Sequence, residues 1–317
     1  EYRMSEISVW MWVGFLLAAY SVIANDSIQT LGTWIASNKK VNWKIMWAYA
    51  SSVLLIAIWY GWWAYDGDIS YGRLNKIPFE GVEWYQALAP AVLLVLTRFG
   101  VPVSTSFLVL SAFASTLVLQ KVLMKSMLGY AVAGVAAYFI WLMLTRLIDE
   151  GKSVKDTNKR RWMIAQWITT GFLWWTWLSH DMANIAVYLP RQIPVGVMFI
   201  ISAVFVGGLA WMLQHRGGKI QEIVVQKKNT KYVRSATLID LFYFVILYIF
   251  KEVNDIPMST TWVFVGLLTG RELAIASFRQ KEGIKKVFPI VGRDFLKLMV
   301  GLAASVGIVL IVQYAKG

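Results

Sequence analysis

Two short polar motifs, each placed after a long apolar run, carry the side chains best suited to binding ions. Asn25-Asp26 follows an uncharged stretch over residues 7–24, and His180-Asp181 follows another aromatic and apolar run. The two aspartates lie 155 positions apart. Because a carboxylate that faces hydrocarbon is costly, each Asp requires a cation, a polar partner or water.

A second pair of polar motifs repeats with the same spacing. Residues 102–106 read Pro-Val-Ser-Thr-Ser, and residues 257–261 read Pro-Met-Ser-Thr-Thr. Trp12 and Trp167 share the offset of 155. The spacing predicts two copies of one unit, with the polar motifs buried in a membrane. The predicted parts are a first repeat over 1–148, a cytoplasmic linker over 149–161 and a second repeat over 162–317.

The Pro-x-Ser-Thr motifs are suited to holding an anion. Proline is tolerated in the first helical turn, Ser and Thr cap it, and the free N–H groups of a helix start favour negative charge. Two such starts facing each other would surround one tetrahedral oxyanion. The alternative is that each motif simply begins a helix. The candidate substrate ligands are Ser104, Thr105, Ser106, Ser259, Thr260 and Thr261.

The Asp motifs are suited to holding a hard cation such as Na⁺, which prefers oxygen ligands. Asp26 and Gln29 are three residues apart, as are Asp181 and Asn184, so each pair shares a helical face. The alternative is a capping pair at a membrane boundary. The candidate cation ligands are Asn25, Asp26, Gln29, Asp181 and Asn184. His180 is a candidate proton or anion site, with a structural role the alternative.

The composition is that of a polytopic helical membrane protein. Apolar residues make up 58% of the chain, charged residues 15%, and the mean hydropathy is +0.55. The net charge of +13 indicates basic cytoplasmic loops rather than nucleic-acid binding. No cysteine is present, which excludes disulfides and thiolate metal sites. Phosphate-binding loops and hydrolase motifs are missing too, so we expect neither an enzyme nor a cofactor.

The first predicted span covers residues 5–37, and we expect a break, tilt or re-entrant return near 25–30 because it is too long for one straight crossing. Residues 7–24 are interpreted as part of this span rather than as a cleavable signal peptide. A basic interfacial helix is predicted over 279–286. The other predicted spans are 43–65, 84–99, 102–119, 123–148, 162–179, 193–213, 237–250, 257–275 and 295–314.

The distribution of Lys and Arg predicts the orientation. Loops 149–161 and 214–236 are placed in the cytoplasm, and the acidic loop 66–83 and the N-terminus outside. This requires an odd number of crossings per copy, which makes the two copies inverted. The expected fold class is all-α, with two inverted repeats whose interrupted or re-entrant helices meet at a midplane site, as in secondary transporters. Charges beside the Ser-Thr helices, interpreted as snorkelling at the interface, are Arg98, Lys251, Glu252, Asp255, Arg271 and Glu272.

With these motifs in view, the chain resembles the inorganic phosphate transporter family (the Pho4-type cation–phosphate symporters). That family carries Gly-Ala-Asn-Asp-Val-Ala-Asn-Ala and Pro-Val-Ser-Thr-Thr-His in each half. The resemblance implies phosphate between the Ser-Thr helix starts, Na⁺ or H⁺ at the Asp motifs, and a homodimer. This chain departs from the family pattern: Gln29 and His180 replace Asn, Phe107 and Trp262 replace His, and the central loop is short.

The resulting hypothesis is a cation-coupled phosphate symporter in the plasma (inner) membrane that works by alternating access, with Na⁺ the expected coupling ion and H⁺ the alternative. A permease for sulfate or another oxyanion is the rival transport function. A passive anion channel and a non-transporting membrane subunit on the same fold are rivals from other classes.

Overall fold

The computed structural model of the chain describes residues 8–75, 77, 79, 81–99, 103–110, 112–113, 116–148, 159–217, 233–253, 259–278 and 281–316. The regular structure in these ranges is helical, which confirms the all-α prediction. The helices of the first half are α1 Val9–Ser21, α2 Ser27–Ser37, α3 Trp43–Ala64, α4 Leu88–Arg98, α5 Thr105–Leu110 and α6 Thr116–Ile148. Those of the second half are α7 Lys159–Asp181, α8 Ala183–Ala186, α9 Val195–Gln214, α10 Val233–Val253, α11 Thr260–Phe278 and α12 Lys281–Lys316.

Five segments of the described chain are long and apolar enough to cross a membrane. The multi-pass membrane prediction is therefore confirmed. Helices α7 and α11, predicted as spans, fall outside this set and are instead buried along much of their length. The candidate spans are Val9–Ser37, Trp43–Ala64, Leu119–Met143, Val195–Gln214 and Val287–Ala315.

Both Asp motifs interrupt a helix, in two different ways. A π-helical turn over Val22–Asp26 joins α1 to α2 without reversing the chain. The segment therefore stays helical through the predicted position of the break, with a π-helical turn over 22–26 and no re-entrant return. In the second half α7 ends at Asp181, Met182 forms a turn, and the short α8 follows. π turns are rare and often lie at functional sites.

Two predicted helix boundaries are wrong. The apolar stretch 102–119 was expected to continue as one helix, but α5 ends at Leu110, and the described residues Ala112 and Phe113 form a turn before α6. This turn is stabilised by packing, because the Phe113 ring meets the Tyr188 ring edge-on at 5.0 Å. The connecting residues 111–115 read Ser-Ala-Phe-Ala-Ser and contain no Gly, Pro or Asn, so the sequence gives only a weak signal for a turn there.

The separate helices expected over 279–286 and 295–314 form the continuous α12, with Pro289 inside it. Proline in a helix interior removes one backbone hydrogen bond. Membrane helices tolerate this because neighbouring groups satisfy the freed carbonyl. The described chain thus shows no break at 289–294.

The bundle has one basic and one acidic end. At the basic end Arg216 donates to the carbonyls of Lys39 (3.2 Å) and Val41 (2.9 Å). At the acidic end the backbone N–H of Ile193 donates to Gly67 (3.1 Å), within the loop that carries Asp66. Residues 149–158 and 218–232, which hold most of the two loops predicted to be cytoplasmic, lie outside the described residues.

Helices α1–α2 and α7 run in opposite directions between these ends. Ser8, before α1, donates to the Val82 carbonyl at the acidic end (3.3 Å). Asn38, after α2, donates to Gln166 near the start of α7 (2.9 Å). The far end of α7 returns to the acidic end, where Arg73 contacts the Ser179 carbonyl (2.9 Å).

Close packing of α6 on α11 depends on glycine. A Cβ atom added to Gly266 would lie 3.0 Å from the carbonyl carbon and Cα of Tyr130, and one added to Gly270 would lie 2.8 Å from the carbonyl carbon of Gly134. Small residues at helix crossings in membranes let backbones approach in this way. Gly134 of α6 belongs to the same close packing, because it faces Gly266 and Gly270.

Replacing Gly266 with Ala should force α6 and α11 apart and destabilise the protein by about 1–3 kcal/mol. Thermal unfolding of the detergent-solubilised protein measures this. Gly207→Ala in α9 is the matched control, since a Cβ atom there has no neighbour within 4 Å. Equal melting temperatures for the two variants would contradict the packing argument.

Candidate functional site

The first Asp motif sits on the π turn and is bound to the first Ser-Thr motif. The Asn25 side-chain amide donates to the Asp26 carboxylate and to the Val103 carbonyl, the latter at 3.0 Å. Gln29 donates to the Asn25 side-chain oxygen (3.4 Å). Asn25, Asp26 and Gln29, the predicted cation ligands of the first half, therefore form one hydrogen-bonded group.

The second Asp motif sits where α7 ends. The Asn184 amide donates to Oδ1 of Asp181 (2.9 Å), as the spacing of three residues predicts. The Ser106 hydroxyl of the first half donates to the same oxygen at 3.4 Å. Asp181 is thus held by residues from both halves of the chain.

The two Ser-Thr motifs begin helices through the same capping contact. The Ser104 hydroxyl accepts from the Phe107 N–H (3.2 Å), and the Ser259 hydroxyl accepts from the Trp262 N–H (3.3 Å). These contacts confirm that Ser starts a helix in each motif. The helix after Thr105 has only 6 residues, however, whereas the one after Thr260 has 19.

The four motifs converge on one place. The Val103 carbonyl accepts from Asn25 and also from the Thr261 hydroxyl, at 3.4 Å. Asp26 is close enough to Asp181 for their charges to interact. Thr105 lies beside Asp26, and Thr260 lies beside Asp181, so the same contact recurs at the offset of 155. The structure therefore brings all the candidate site motifs together.

Several buried oxygen atoms at this place have no hydrogen-bond partner. They are Asp26 Oδ2, Gln29 Oε1, Thr105 Oγ1, Asp181 Oδ2 and Asn184 Oδ1. A buried polar atom without a protein partner is costly, so a cluster of them is typical of a ligand-binding site. Carboxylate, amide and hydroxyl oxygens are the donor set of a hard cation. The described residues contain no cluster of three or more His, Cys, Asp or Glu that could hold a metal ion.

The site is closed to solvent from both ends. Each of the twelve candidate residues is at most 4% exposed. In this structure the site is therefore occluded, so the entry or exit of a ligand requires helix movement.

The chain is similar to a known protein in its fold. No protein-family model matches the chain, and no curated protein matches it. A solved structure of a sodium-dependent phosphate transporter matches 98% of this chain and 100% of its own, with a TM-score of 0.61 and 17% sequence identity. The chain has the fold of that transporter. At 17% sequence identity, this similarity shows the fold alone.

The residue at the end of each Ser-Thr motif takes part in packing within this transporter fold. Phe107 and Trp262, which stand where the resembled family has His, contact each other edge-on with ring centroids 5.7 Å apart. Both are buried, and they pack in one cluster with Val122 and Leu298. Aromatic pairs of this geometry stabilise a core. The departure from the family pattern thus replaces polar groups with an apolar contact.

His180 contacts the backbone of α10. Its Nε2 lies 3.2 Å from the carbonyl of Leu247 on α10. This contact supports the structural interpretation of His180, because a ring N–H held by a backbone carbonyl orients the side chain.

Sequence reasoning missed two residues at the site. Tyr243 on α10 lies near both aspartates, and its hydroxyl donates to the Thr260 carbonyl (3.1 Å). Arg73, from the loop predicted to lie outside, reaches the Ser179 carbonyl and acts electrostatically on Asp181. A Tyr in an apolar span resembles a core residue, and an Arg in a polar loop resembles a solvated one. The sequence around these two residues therefore gave no indication that they lie at the site.

A third missed residue, Asp240, forms a separate buried network on the basic side. The Thr33 hydroxyl donates to its Oδ1, and the Thr170 hydroxyl donates to its Oδ2 at 2.7 Å. Asp240 therefore joins α2, α7 and α10. The signal that could have found it is the one used for Asp26: a carboxylate inside an apolar span.

The snorkelling interpretation is wrong for Arg271. Its side chain is 0% exposed and is paired with Glu272 at 2.8 Å. The guanidinium also lies over the Trp141 ring, 5.5 Å from its centroid. A buried guanidinium needs such partners because its desolvation is costly. Asp255 and the side chains of Lys251 and Glu252 lie outside the described residues.

Removing the Thr170 hydroxyl should destabilise the protein, because it leaves one Asp240 oxygen buried without a donor. Thr170→Val is expected to cost about 1–3 kcal/mol. Thr269→Val is the matched control, since the Thr269 hydroxyl is buried and has no partner. Thermal unfolding of both variants measures the difference, and an unchanged Thr170→Val variant would refute the role of the network.

Proposed function

We propose that this protein is a cation-coupled phosphate symporter, with Na⁺ as the coupling ion. The observation that supports the proposal most is the cluster of unpartnered buried oxygens where the two Asp motifs meet the two Ser-Thr motifs. The phosphate transporter fold of the chain and the paired motifs of the resembled family support it as well. The cation ligands would be Asn25, Asp26, Gln29, Asp181 and Asn184.

The charges at the site provide the reason for coupling. Asp26 and Asp181 are buried near each other, so an oxyanion arriving at Thr105 or Thr260 would meet two negative charges at short range. Charges in a protein interior interact far more strongly than in water. A cation at the carboxylates removes that repulsion, and by linkage the anion then favours cation binding equally.

The hydroxyl groups would bind the anion. Thr105, Ser106, Thr260 and Thr261 occupy the first turns of α5 and α11, where backbone N–H groups have no partner within the helix. Ser104 and Ser259 would contribute less, because their hydroxyls already cap these helices. The longer α11 supplies the larger helix dipole.

The opposite directions of α1–α2 and α7 support two inverted repeats that meet at this site. In such architectures one repeat rocks against the other and exposes the site to each side in turn. Because the site is closed in this structure, alternating access requires two further states, each open to one end of the bundle. The homodimer implied by the family resemblance stays a prediction.

The test is uptake of radiolabelled phosphate into proteoliposomes under an imposed Na⁺ gradient and, separately, a pH gradient. Phosphate uptake driven by the Na⁺ gradient is expected. Uptake driven only by the pH gradient would make H⁺ the coupling ion. Uptake of sulfate without phosphate would identify an oxyanion permease of different specificity. Equilibration without accumulation would indicate a channel, and binding without uptake a non-transporting subunit.

Asp26→Asn and Asp181→Asn should each reduce cation-driven phosphate uptake to the level of empty liposomes, because each removes a charge that attracts the cation. The fold should survive, since Asn has the same shape and removes the charge repulsion. Uptake is measured as above, and the elution profile of the purified variants reports folding. Uptake like that of the wild type in both variants would contradict the cation role.

We further propose that the protein lies in the plasma (inner) membrane with its basic end in the cytoplasm. Lys39, Lys40 and Arg216 then face inward, and Asp66 and Asp68 face outward, as the positive-inside rule requires. The N-terminus would be outside, because the start of α1 lies at the acidic end. The loops 149–161 and 214–236 would be cytoplasmic.

The chain has no native cysteine, so single-cysteine labelling tests this orientation directly. Lys40→Cys should be protected from a membrane-impermeant maleimide in intact cells and labelled only after permeabilisation. Asp66→Cys, at the opposite end, should be labelled in intact cells and is the matched control. The reverse pattern would mean that the protein is inserted the other way round.

A further inference from the structure

We propose that Arg73 is a built-in cation for the second Asp motif, so that the transport cycle needs one coupling cation, bound on the Asp26 side, rather than two. This inference rests on the proposed function. It concerns how many cations that function uses and which residue sets the number.

The two aspartates are equivalent by position but not by surroundings. In the part of the chain that the structure describes, the charged neighbour of Asp26 is Asp181, another carboxylate. Asp181, in contrast, has the Arg73 guanidinium as an electrostatic neighbour. The Arg73 Nε donates to the Ser179 carbonyl at 2.9 Å, two residues before Asp181. Among the described residues, a fixed positive charge is therefore present beside Asp181 and not beside Asp26.

The loop that carries Arg73 is built to hold it inside the protein. The Asp68 carboxylate accepts from the N–H and hydroxyl of Ser70 (both 2.7 Å) and from the Gly72 N–H (2.9 Å). Tyr71 and Gly72 both have positive φ, 58° and 74°, which turns the chain sharply just before Arg73. Such a fully bonded turn is rigid compared with a solvated loop.

Packing fixes this loop against the bundle. The Tyr71 hydroxyl donates to the Ala57 carbonyl of α3 (2.6 Å), and a Cβ atom on Gly61 would lie 2.7 Å from the Tyr71 ring. Ile69 and Leu74, on either side of the turn, are at most 1% exposed. Arg73 itself is only 6% exposed. A buried arginine at this position is therefore a fixed part of the site rather than a surface charge.

The consequence for coupling comes from charge balance. Two carboxylates without a fixed cation would need two monovalent cations before an anion could approach. With Arg73 in place, the two carboxylates and the guanidinium together carry one negative charge, which one cation offsets. Asp26 Oδ2 and Gln29 Oε1, both without a hydrogen-bond partner, lie on the side without the arginine, so a cation bound there meets no repulsion from a fixed positive charge close by. That side is the better site for the mobile cation.

The guanidinium leaves one oxygen of Asp181 free to bind a ligand. Oδ2 of Asp181 has no hydrogen-bond partner, so it can accept a hydrogen bond from a protonated oxyanion. Arginine suits this role because it stays protonated when buried, whereas a buried lysine loses its proton readily. The charge of Arg73 is therefore permanent through the cycle.

The experiment counts bound and transported Na⁺. Equilibrium dialysis of the purified protein with ²²Na⁺ and phosphate should give about one bound Na⁺ in the wild type, about none in Asp26→Asn and about two in Arg73→Gln, since each lost charge changes the balance by one. In proteoliposomes, the ratio of ²²Na⁺ to labelled phosphate taken up should rise about twofold in Arg73→Gln.

Two controls separate charge from structure. Arg73→Lys, assayed beside the wild type at mildly acidic pH so that the buried lysine stays protonated, keeps a positive charge and should keep the wild-type ratio. Arg191→Gln removes a half-buried arginine at the same end, one that donates to the Ile77 and Leu189 carbonyls, and should leave the ratio unchanged. The melting temperature of each purified variant reports folding.

Two bound Na⁺ in the wild type, or an unchanged count in a folded Arg73→Gln variant, would overturn this proposal while leaving the symporter proposal intact. A higher phosphate KM in Arg73→Gln with an unchanged Na⁺ count would also overturn it, and would make Arg73 an anion ligand. Absence of bound Na⁺ together with absence of phosphate uptake in the wild type would overturn both.

Discussion

The burial of two carboxylates side by side is the constraint on which the rest of this molecule depends. Asp26 and Asp181 are each 1% exposed and repel each other. Desolvating one charge already costs several kcal/mol, and a like charge nearby adds to that cost. The surrounding amides and hydroxyls stabilise the pair only partly, because each carboxylate keeps one oxygen without a partner. A positive charge would stabilise this pair of carboxylates, which is the physical basis of the cation site proposed above.

The helices are interrupted because the carboxylates need those surroundings. A regular helix directs consecutive side chains along a fixed spiral, and its backbone groups are all used internally. The π turn at Val22–Asp26 and the turn at Met182 change both properties next to each Asp. They let Asn25 reach the Val103 carbonyl of another segment. Downstream of the π turn, Thr33 of the same continuous segment faces a different partner, Asp240.

Sequence reasoning succeeded where a residue type has few compatible environments. A carboxylate after a long apolar run, an internal offset shared by three pairs of residues, and Ser-Thr after Pro each pointed to one arrangement, and the structure brings them together. The membrane class, the helix interruptions and the capping role of Ser104 and Ser259 were all predictable from such local signals. The Asp240 network was predictable by the same rule and was overlooked.

What the sequence did not reveal depends on contacts between distant segments. The turn after Leu110 is fixed by Phe113 packing on Tyr188, and Arg73 enters the site because a loop folds inward against α3. Tyr243 reaches both aspartates only through the position of α10. In each case the residue has an ordinary local context, and tertiary packing alone gives it a role.

The complete burial of the site also limits its kinetics. An ion held there exchanges with neither solution while the twelve residues stay enclosed, so its residence time equals the lifetime of the closed state. Helix rearrangements of this kind take place on microsecond-to-second timescales, far slower than diffusion of a small ion. In the proposed symporter, turnover would then be set by the protein's own opening rate, and a ligand that tightens the closed state would slow transport even as it binds more strongly.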